Sequence, residues 1–432
     1  MIRGDTMEPL VRCRKFVVGM FVALFALGHW GLADAMTQEE LVLEALREKV
    51  AAHDKMLGAL ERIDWFGDFR LRYEIKNRAN DNSLANDSDS AFDTARPRIR
   101  LRFGAKAHLY KDLDLIFRLS TGGNQGTSGN RTLGGTFDQE PIDLNLAYVS
   151  YKPSKWNLNG LTLEGGKVKN QFMKSEMVWD SDVTFEGITE SYERKHGDTK
   201  LKLVFGQYIL EETDRTPTTG GRQPVDDPLV IAWQGQAHQK TSFGKFKFAV
   251  AFYDYQNLTD NAITNQLGAG DGQRNSQVTA TNVNTTNIRT LDFMGQWSTP
   301  LAGCHLKVFG EYAVNVDADA PAGNNTIADD LDTAWEVGAQ FGHNKFKKFG
   351  DWKLKAMYRL VQQDAVFYAL ADSDFHDGGV NYKGVELQAK MALRKGIQIN
   401  YTFWNAQNER GDVNGGKLDM NGMHQFDLKF KF

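Results

Sequence analysis

The chain has 432 residues with 51 basic and 55 acidic side chains, and a formal net charge of −4 excludes the basic surplus of a general nucleic-acid binder. Charged residues at 25% and hydrophobic ones at 41% exclude both a disordered chain and a bundle of apolar membrane helices. Forty-one glycines, 27 phenylalanines and only 9 prolines suit a long-stranded β protein.

Residues 1–35 read as an export signal. Arg12, Arg14 and Lys15 form a basic start, Phe16 to Leu27 an apolar run, and Ala33-Asp34-Ala35 a cleavage site before Met36. The run is shorter than the ~20 residues of a membrane-spanning helix. Met7 is an alternative start to Met1. Cleavage removes four basic and three acidic residues, leaving 47 basic and 52 acidic, net −5. Of the two cysteines, Cys13 leaves with the signal, so Cys304 has no partner for an internal disulfide. There is no zinc motif, and the sequence implies no metal or cofactor.

Residues 36–64 predict one helix. Thr37 with Glu40 makes a capping box, and Leu43, Leu46, Val50, His53, Leu57 and Leu60 follow a 3-4-3-4-3 seam. Three heptads are marginal alone. Two readings stay open, a short coil between copies of this chain and a lone amphipathic helix.

From Trp65 the apolar period changes to 2 and stays there. Phe69-Arg70-Leu71-Arg72-Tyr73, Arg98-Ile99-Arg100-Leu101-Arg102-Phe103 and Phe426-Asp427-Leu428-Lys429-Phe430 all alternate. The polar face carries charge so densely that it needs water, not a dry core. About 16 strands are expected: 66–76, 96–110, 112–121, 142–152, 160–168, 183–194, 199–209, 228–238, 244–255, 288–299, 303–315, 332–343, 351–363, 380–391, 396–406 and 421–432. The links alternate short and long, the long ones being 77–95, 122–141, 169–182, 210–227, 256–287, 316–331, 364–379 and 407–420. An even strand count, short turns at one end and long loops at the other specify an all-β, transmembrane antiparallel barrel over 65–432. Closure satisfies every backbone group in lipid. The last strand ends in Phe432, with Phe430, Leu428 and Phe426 at alternate positions, which resembles the terminal-strand signature of bacterial outer-membrane proteins that the barrel assembly machinery reads.

The segments Trp65-Phe66-Gly67-Asp68-Phe69-Arg70-Leu71-Arg72-Tyr73-Glu74, Arg96-Pro97-Arg98-Ile99-Arg100-Leu101-Arg102-Phe103-Gly104, Gly166-Lys167-Val168-Lys169-Asn170-Gln171-Phe172 and Val178-Trp179-Asp180-Ser181-Asp182 make the chain resemble a Gram-negative outer-membrane general porin, of the family called "putative porin". Asn170-Gln171-Phe172 stands where Asn-Pro-Phe is expected. The resemblance implies a 16-stranded, trimeric, water-filled channel in the outer membrane, with its third long loop folded inside and small hydrophilic solutes and ions passing. Alternatives are an anion- or sugar-specific channel and a structural tether with a plugged barrel. No nucleophile motif surrounds any of the nine histidines, so no enzymatic activity is expected.

Alternation puts Arg70, Arg72, Arg98, Arg100, Arg102 and Arg118 on the lumen face. An arginine on the lipid face would cost ~2–4 kcal/mol near the midplane, which fixes the phase. One reading is the basic side of a constriction, and another is a solvated face paired to Glu74, Asp112 and Asp114. The third long loop, 169–182, carries Lys174, Glu176, Asp180 and Asp182, with Phe172, Met173, Met177, Val178 and Trp179 to pack it. By resemblance it folds inward and sets acids across from the arginines; the other reading is a loop at a subunit contact. Inward lysines recur at 200, 202, 245, 247, 307, 353, 355, 429 and 431, which either favours anions or simply forms a solvated rim. Trp156, Trp233, Trp297, Trp335, Trp352, Tyr148, Tyr358 and Tyr401 are expected in interfacial girdles. Loop 256–287, rich in Asn, Thr, Gln and Gly, is expected to be a mobile outer loop.

Overall fold

The computed structural model describes residues 38–78, 94–123, 126–154, 158–212, 217–218, 221–222, 227–258, 275, 288–318, 331–410 and 420–432. The expected signal, Trp156 and nearly all of loop 256–287 lie outside the described residues. The chain divides into two units, 1–61 and 62–432.

In the first unit, α1 (Gln38–Leu60) forms where the helix was expected. It leaves Leu43, Val50 and Leu60 of the heptad seam about half exposed. No helix among the described residues is long and apolar enough to cross a membrane.

The second unit is a closed antiparallel barrel of 16 strands. They are β1 (Ile63–Arg78), β2 (Thr94–Tyr110), β3 (Leu113–Thr121), β4 (Ile142–Tyr151), β5 (Leu161–Lys169), β6 (Thr184–His196), β7 (Thr199–Ile209) and β8 (Leu229–Thr241), then β9 (Gly244–Gln256), β10 (Ile288–Leu301), β11 (Cys304–Asn315), β12 (Thr333–Gly342), β13 (Trp352–Val361), β14 (Tyr382–Arg394), β15 (Ile397–Asn408) and β16 (Met420–Lys431). An extra two-residue strand, Arg131–Thr132, pairs with β2.

Each strand pairs with its sequence neighbour, and β1 pairs with both β2 and β16. The closing seam runs from Asp68 opposite Lys431 to Arg78 opposite Met420. Gly67 and Phe432 lock its end, Gly67 N donating to Phe432 O at 3.0 Å and Phe432 N to Gly67 O at 3.2 Å. A Cβ at Gly67 would lie 2.5 Å from the Phe432 ring and from the Arg102 carbonyl, so only glycine fits this approach.

The pleat sets the two faces as the alternation predicts. Arg70, Arg72 and Glu74 are buried inward, whereas Leu71 and Tyr73 on the same strand are exposed. The dry core is not between layers but inside the barrel, where two loops pack apolar side chains against one inner wall. Tyr148 corrects the girdle expectation: it is 9% exposed and belongs with Ile116 and Leu146 to that inner cluster.

Candidate functional site in the barrel lumen

Loop L3 (170–183, between β5 and β6) enters the lumen because its sequence supplies anchors. Asn170 Oδ1 accepts from Phe172 N at 2.9 Å, turning the chain inward. Phe172 then meets Phe185, Tyr208 and Tyr253 edge-on at 6.0, 6.4 and 5.8 Å. Gln234 of β8 grips the loop backbone with both amide atoms, accepting from Met173 N at 2.7 Å and donating to Met173 O at 2.8 Å. Ser175 N donates to Glu311 of β11 at 3.0 Å. Trp179 is fully buried between Phe185, Tyr253 and Tyr255.

A second loop, L7 (362–381, between β13 and β14), also folds inward. Residues Ala365 to Ala371 are all buried. Phe367 packs on Tyr255 at 5.0 Å, and Asn275 of the fifth long loop donates to the carbonyls of Gln363 and Val366, each at 2.8 Å. L7 is sewn to L3 by Asp180 N donating to Leu370 O at 2.8 Å and Ser373 N donating to Asp180 Oδ2 at 2.9 Å. It is sewn to the second long loop by Ser373 Oγ donating to Thr127 O at 3.0 Å.

Between these loops and the wall lies a cavity of about 500 Å³. Ten basic and nine acidic side chains line it. Arg70, Arg72, Arg100 and Arg102 do so from one side, with Lys174, Glu176, Asp180 and Asp182 from L3. Arg98 and Arg118 point inward but not into this cavity: Arg98 bonds Glu74 at 3.2 Å and Arg118 bonds Asn145 at 2.7 Å.

The arginines are already engaged. Arg72 forks onto Asp427 at 2.7 and 3.2 Å and reaches Asp374 of L7 at 3.3 Å. Arg100 bonds Asp68 at 2.9 Å and Asp182 at 3.3 Å, and Arg102 bonds Asp182 directly. Arg70 donates to Asn130 of the second long loop. Glu74 collects Arg96, Arg98 and Gln425, the last at 3.0 Å.

The loop acids therefore divide by environment. Asp182 touches the arginine wall instead of facing it across open water. Burial would raise its carboxyl, but Arg102, Arg100 and Arg70 outweigh that and hold it well below the usual carboxylate range. Asp180 lies under L7, and burial together with the charges of Asp182, Glu176 and Asp372 pushes its carboxyl well above that range. Burial would likewise raise Asp374, but Arg72 and Arg70 lower it. Lys174 turns back to donate to the Trp179 carbonyl at 2.9 Å and to the Asp180 carbonyl, and Glu176 stays exposed.

Several lumen groups escaped sequence reasoning. Asp372 and Asp374 come from L7, whose run Ala365-Val366-Phe367-Tyr368-Ala369-Leu370-Ala371 carries the same apolar signal that marked L3. Arg359 of β13 is 1% exposed and bridges Glu336 at 2.9 Å and Asp372 at 2.7 Å. Glu311 and Glu336, directly opposite each other on β11 and β12, gave no local signal.

A closed 16-stranded barrel with two loops folded into a charged lumen defines a channel of the porin class. The family model described as "Putative porin" matches residues 86–286 and 284–432, and the chain belongs to that family. Membership and fold point to a channel of the outer membrane and away from an enzyme. No curated protein matches the sequence. Among solved structures, Pseudomonas putida OprB is 10% identical over 87% of this chain and 96% of its own, with a TM-score of 0.53, which shows the fold alone. Salmonella typhi OmpF is 10% identical over 86% of this chain and 97% of its own, TM-score 0.48. Acinetobacter baumannii DcaP, an outer-membrane channel, is 14% identical over 86% and 97%, TM-score 0.46.

Proposed function

We propose that the chain forms a diffusion channel for small hydrophilic solutes and ions, constricted by L3 and L7 and biased toward anions. The observation that carries this is the 500 Å³ charged cavity in the lumen, with ten basic groups against nine acids. Arg70, Arg72, Arg100 and Arg102 supply the basic wall. Asp182 and Asp374 trim its field, and Arg98 and Arg118 add inward basic groups outside the cavity lining.

Single-channel recording in planar bilayers with a salt gradient tests this. Stable conductance with an anion-selective reversal potential is expected. A silent, correctly folded barrel would favour the tether reading instead, with L3 and L7 as the plug.

The channel is proposed to be a homotrimer. The heptad seam of α1 is open in the single chain at Leu43, Val50 and Leu60, which suits two further copies. Mass measurement in mild detergent, with and without residues 36–62, checks this; a monomer in both removes the idea. Cleavage after Ala35 is proposed from the leader pattern and is tested by sequencing the mature N-terminus. The terminal strand ending at Phe432 is proposed as the contact for the barrel assembly machinery.

A further inference from the structure

Arg72, Arg100 and Arg102 are bonded to the protein's own carboxylates, but a second basic surface, on β11, β13 and β14, is left largely unpaired. Lys307 stands on β11, Lys353 and Lys355 on β13 and Lys390 on β14. Lys353 lies directly opposite Lys390 in the β13–β14 register. Lys355 and Lys307 both lie opposite Gln340 of β12, one from each side. Four ammonium groups on three strands thus span β11 to β14.

One carboxylate answers them: Glu386 bonds Lys355 at 2.9 Å. Among the described residues, Lys307, Lys353 and Lys390 have no carboxylate within 4.0 Å. Lys307 sits 4.8 Å over the Phe309 ring, Lys355 5.9 Å from the same ring and Lys353 5.7 Å from Phe346. Aromatic faces attract a cation but carry no compensating charge. Like charges directly opposite across a strand pair are destabilising, so this arrangement needs a counter-ion from solution. Lys307, Lys355 and Lys390 all line the cavity, together with the donors Gln340, Gln388 and Thr402.

Resting on the reading of the chain as a channel, we propose that Lys307, Lys353, Lys355 and Lys390 form a binding site for a multivalent oxyanion, a polycarboxylate or a polyphosphate. A lysine is a compact point charge without the guanidinium's planar fork. Three or four of them spread over several strands fit an anion whose charge is also spread, not one carboxylate. The arginines, forked onto Asp427 and bonded to Asp182, give selectivity by field, whereas the lysines give residence. A multivalent anion lingers in the channel, and chloride or acetate passes.

The test is current block in planar bilayers at pH 7 with the full chain. Citrate and pyrophosphate are added separately at constant ionic strength, with acetate as the monovalent comparison. Concentration-dependent block by at least one polyanion, and none by acetate, is expected. Block by citrate alone assigns the site to polycarboxylates and block by pyrophosphate alone to polyphosphates. In the double variant Lys353→Gln/Lys390→Gln, two charge-assisted contacts are lost, so the apparent affinity should fall by about ten-fold or more. Its conductance in potassium chloride should persist. Arg102→Ser should change ion selectivity but leave block affinity within about two-fold.

Equal block in the double variant, or no block by either polyanion through a conducting channel, overturns the site while leaving the channel reading intact. Should the protein not conduct at all, calorimetric titration of the folded protein in detergent with the same two anions decides. Heats identical for wild type and double variant, or absent from both, overturn the site there as well.

Discussion

Neutralising Asp182 isolates one side of the lumen field. Asp182 accepts from Arg100 at 3.3 Å, from Arg102 and from the backbone N of Gly129 at 3.1 Å. In Asp182→Asn the amide oxygen still accepts from Gly129, and Arg100 keeps Asp68 at 2.9 Å, so the barrel should fold. A unit charge about 7 Å from a passing ion is worth ~0.6 kcal/mol at a dielectric of 80 and ~1.2 kcal/mol at 40. At 0.1 M salt, with a Debye length of ~10 Å, about half of that survives. Losing the negative charge favours anions and disfavours cations by equal amounts, so the anion-to-cation permeability ratio should rise about 3- to 8-fold. Reversal potentials in a potassium chloride gradient measure it. Arg100→Ser and Arg102→Ser should move the ratio the other way. At 1 M salt, where the Debye length is ~3 Å, both shifts should nearly vanish. Unchanged selectivity in all three folded variants, or a shift of the same size at 1 M, would refute the placement of the constriction at this wall.

Three further outcomes are expected. Trp179→Ala removes a fully buried indole from between Phe185 and Tyr253; it should cost ~3–5 kcal/mol locally, loosen L3 and give a larger, noisier conductance, and quiet wild-type openings would count against L3 as the constricting loop. Asp180, whose folded carboxyl is raised by burial and then by Asp182, Glu176 and Asp372, binds more protons folded than unfolded above its ordinary value of about 4. The L3–L7 contact should therefore weaken as pH rises from about 4 toward the raised value, even with Lys174 alongside, whereas Asp182 stays charged throughout. Current noise should follow that slope and Asp180→Asn should flatten it; an identical slope in the variant would place the titration elsewhere. Deleting Phe432 removes both backbone bonds to Gly67 and should lower the yield of folded barrel in the outer membrane, leaving unfolded chain in the periplasm; an unchanged yield would make the terminal residue incidental.

The strand pattern was legible because its cause is local. A period of two needs only the residues of one strand, and Arg70-Leu71-Arg72-Tyr73 states which face meets water without reference to any neighbour. Loop lengths follow from where that pattern stops, so the 16 strands and their closure were readable in order. L3 announced itself through Phe172, Met177, Val178 and Trp179, since apolar side chains on a loop need a wall to cover them. L7 carried the same signal from Ala365 to Ala371. The segment lies in the expected long loop 364–379, but its apolar run was not read as an inward anchor.

Which ion meets which is a different kind of fact. Asp182 reaches Arg100 and Arg102 across 82 and 80 residues, Arg72 reaches Asp427 across 355, and Lys353 faces Lys390 only through strand register. Sequence distance says nothing about such pairs, because closure of the barrel brings its ends together and loop folding chooses the occupants of the lumen. The sequence by itself determined the sheet, its inner face and the sign of the wall. Only the tertiary structure decided that Arg72, Arg100 and Arg102 are paired with the chain's own acids while Lys307, Lys353 and Lys390 are not.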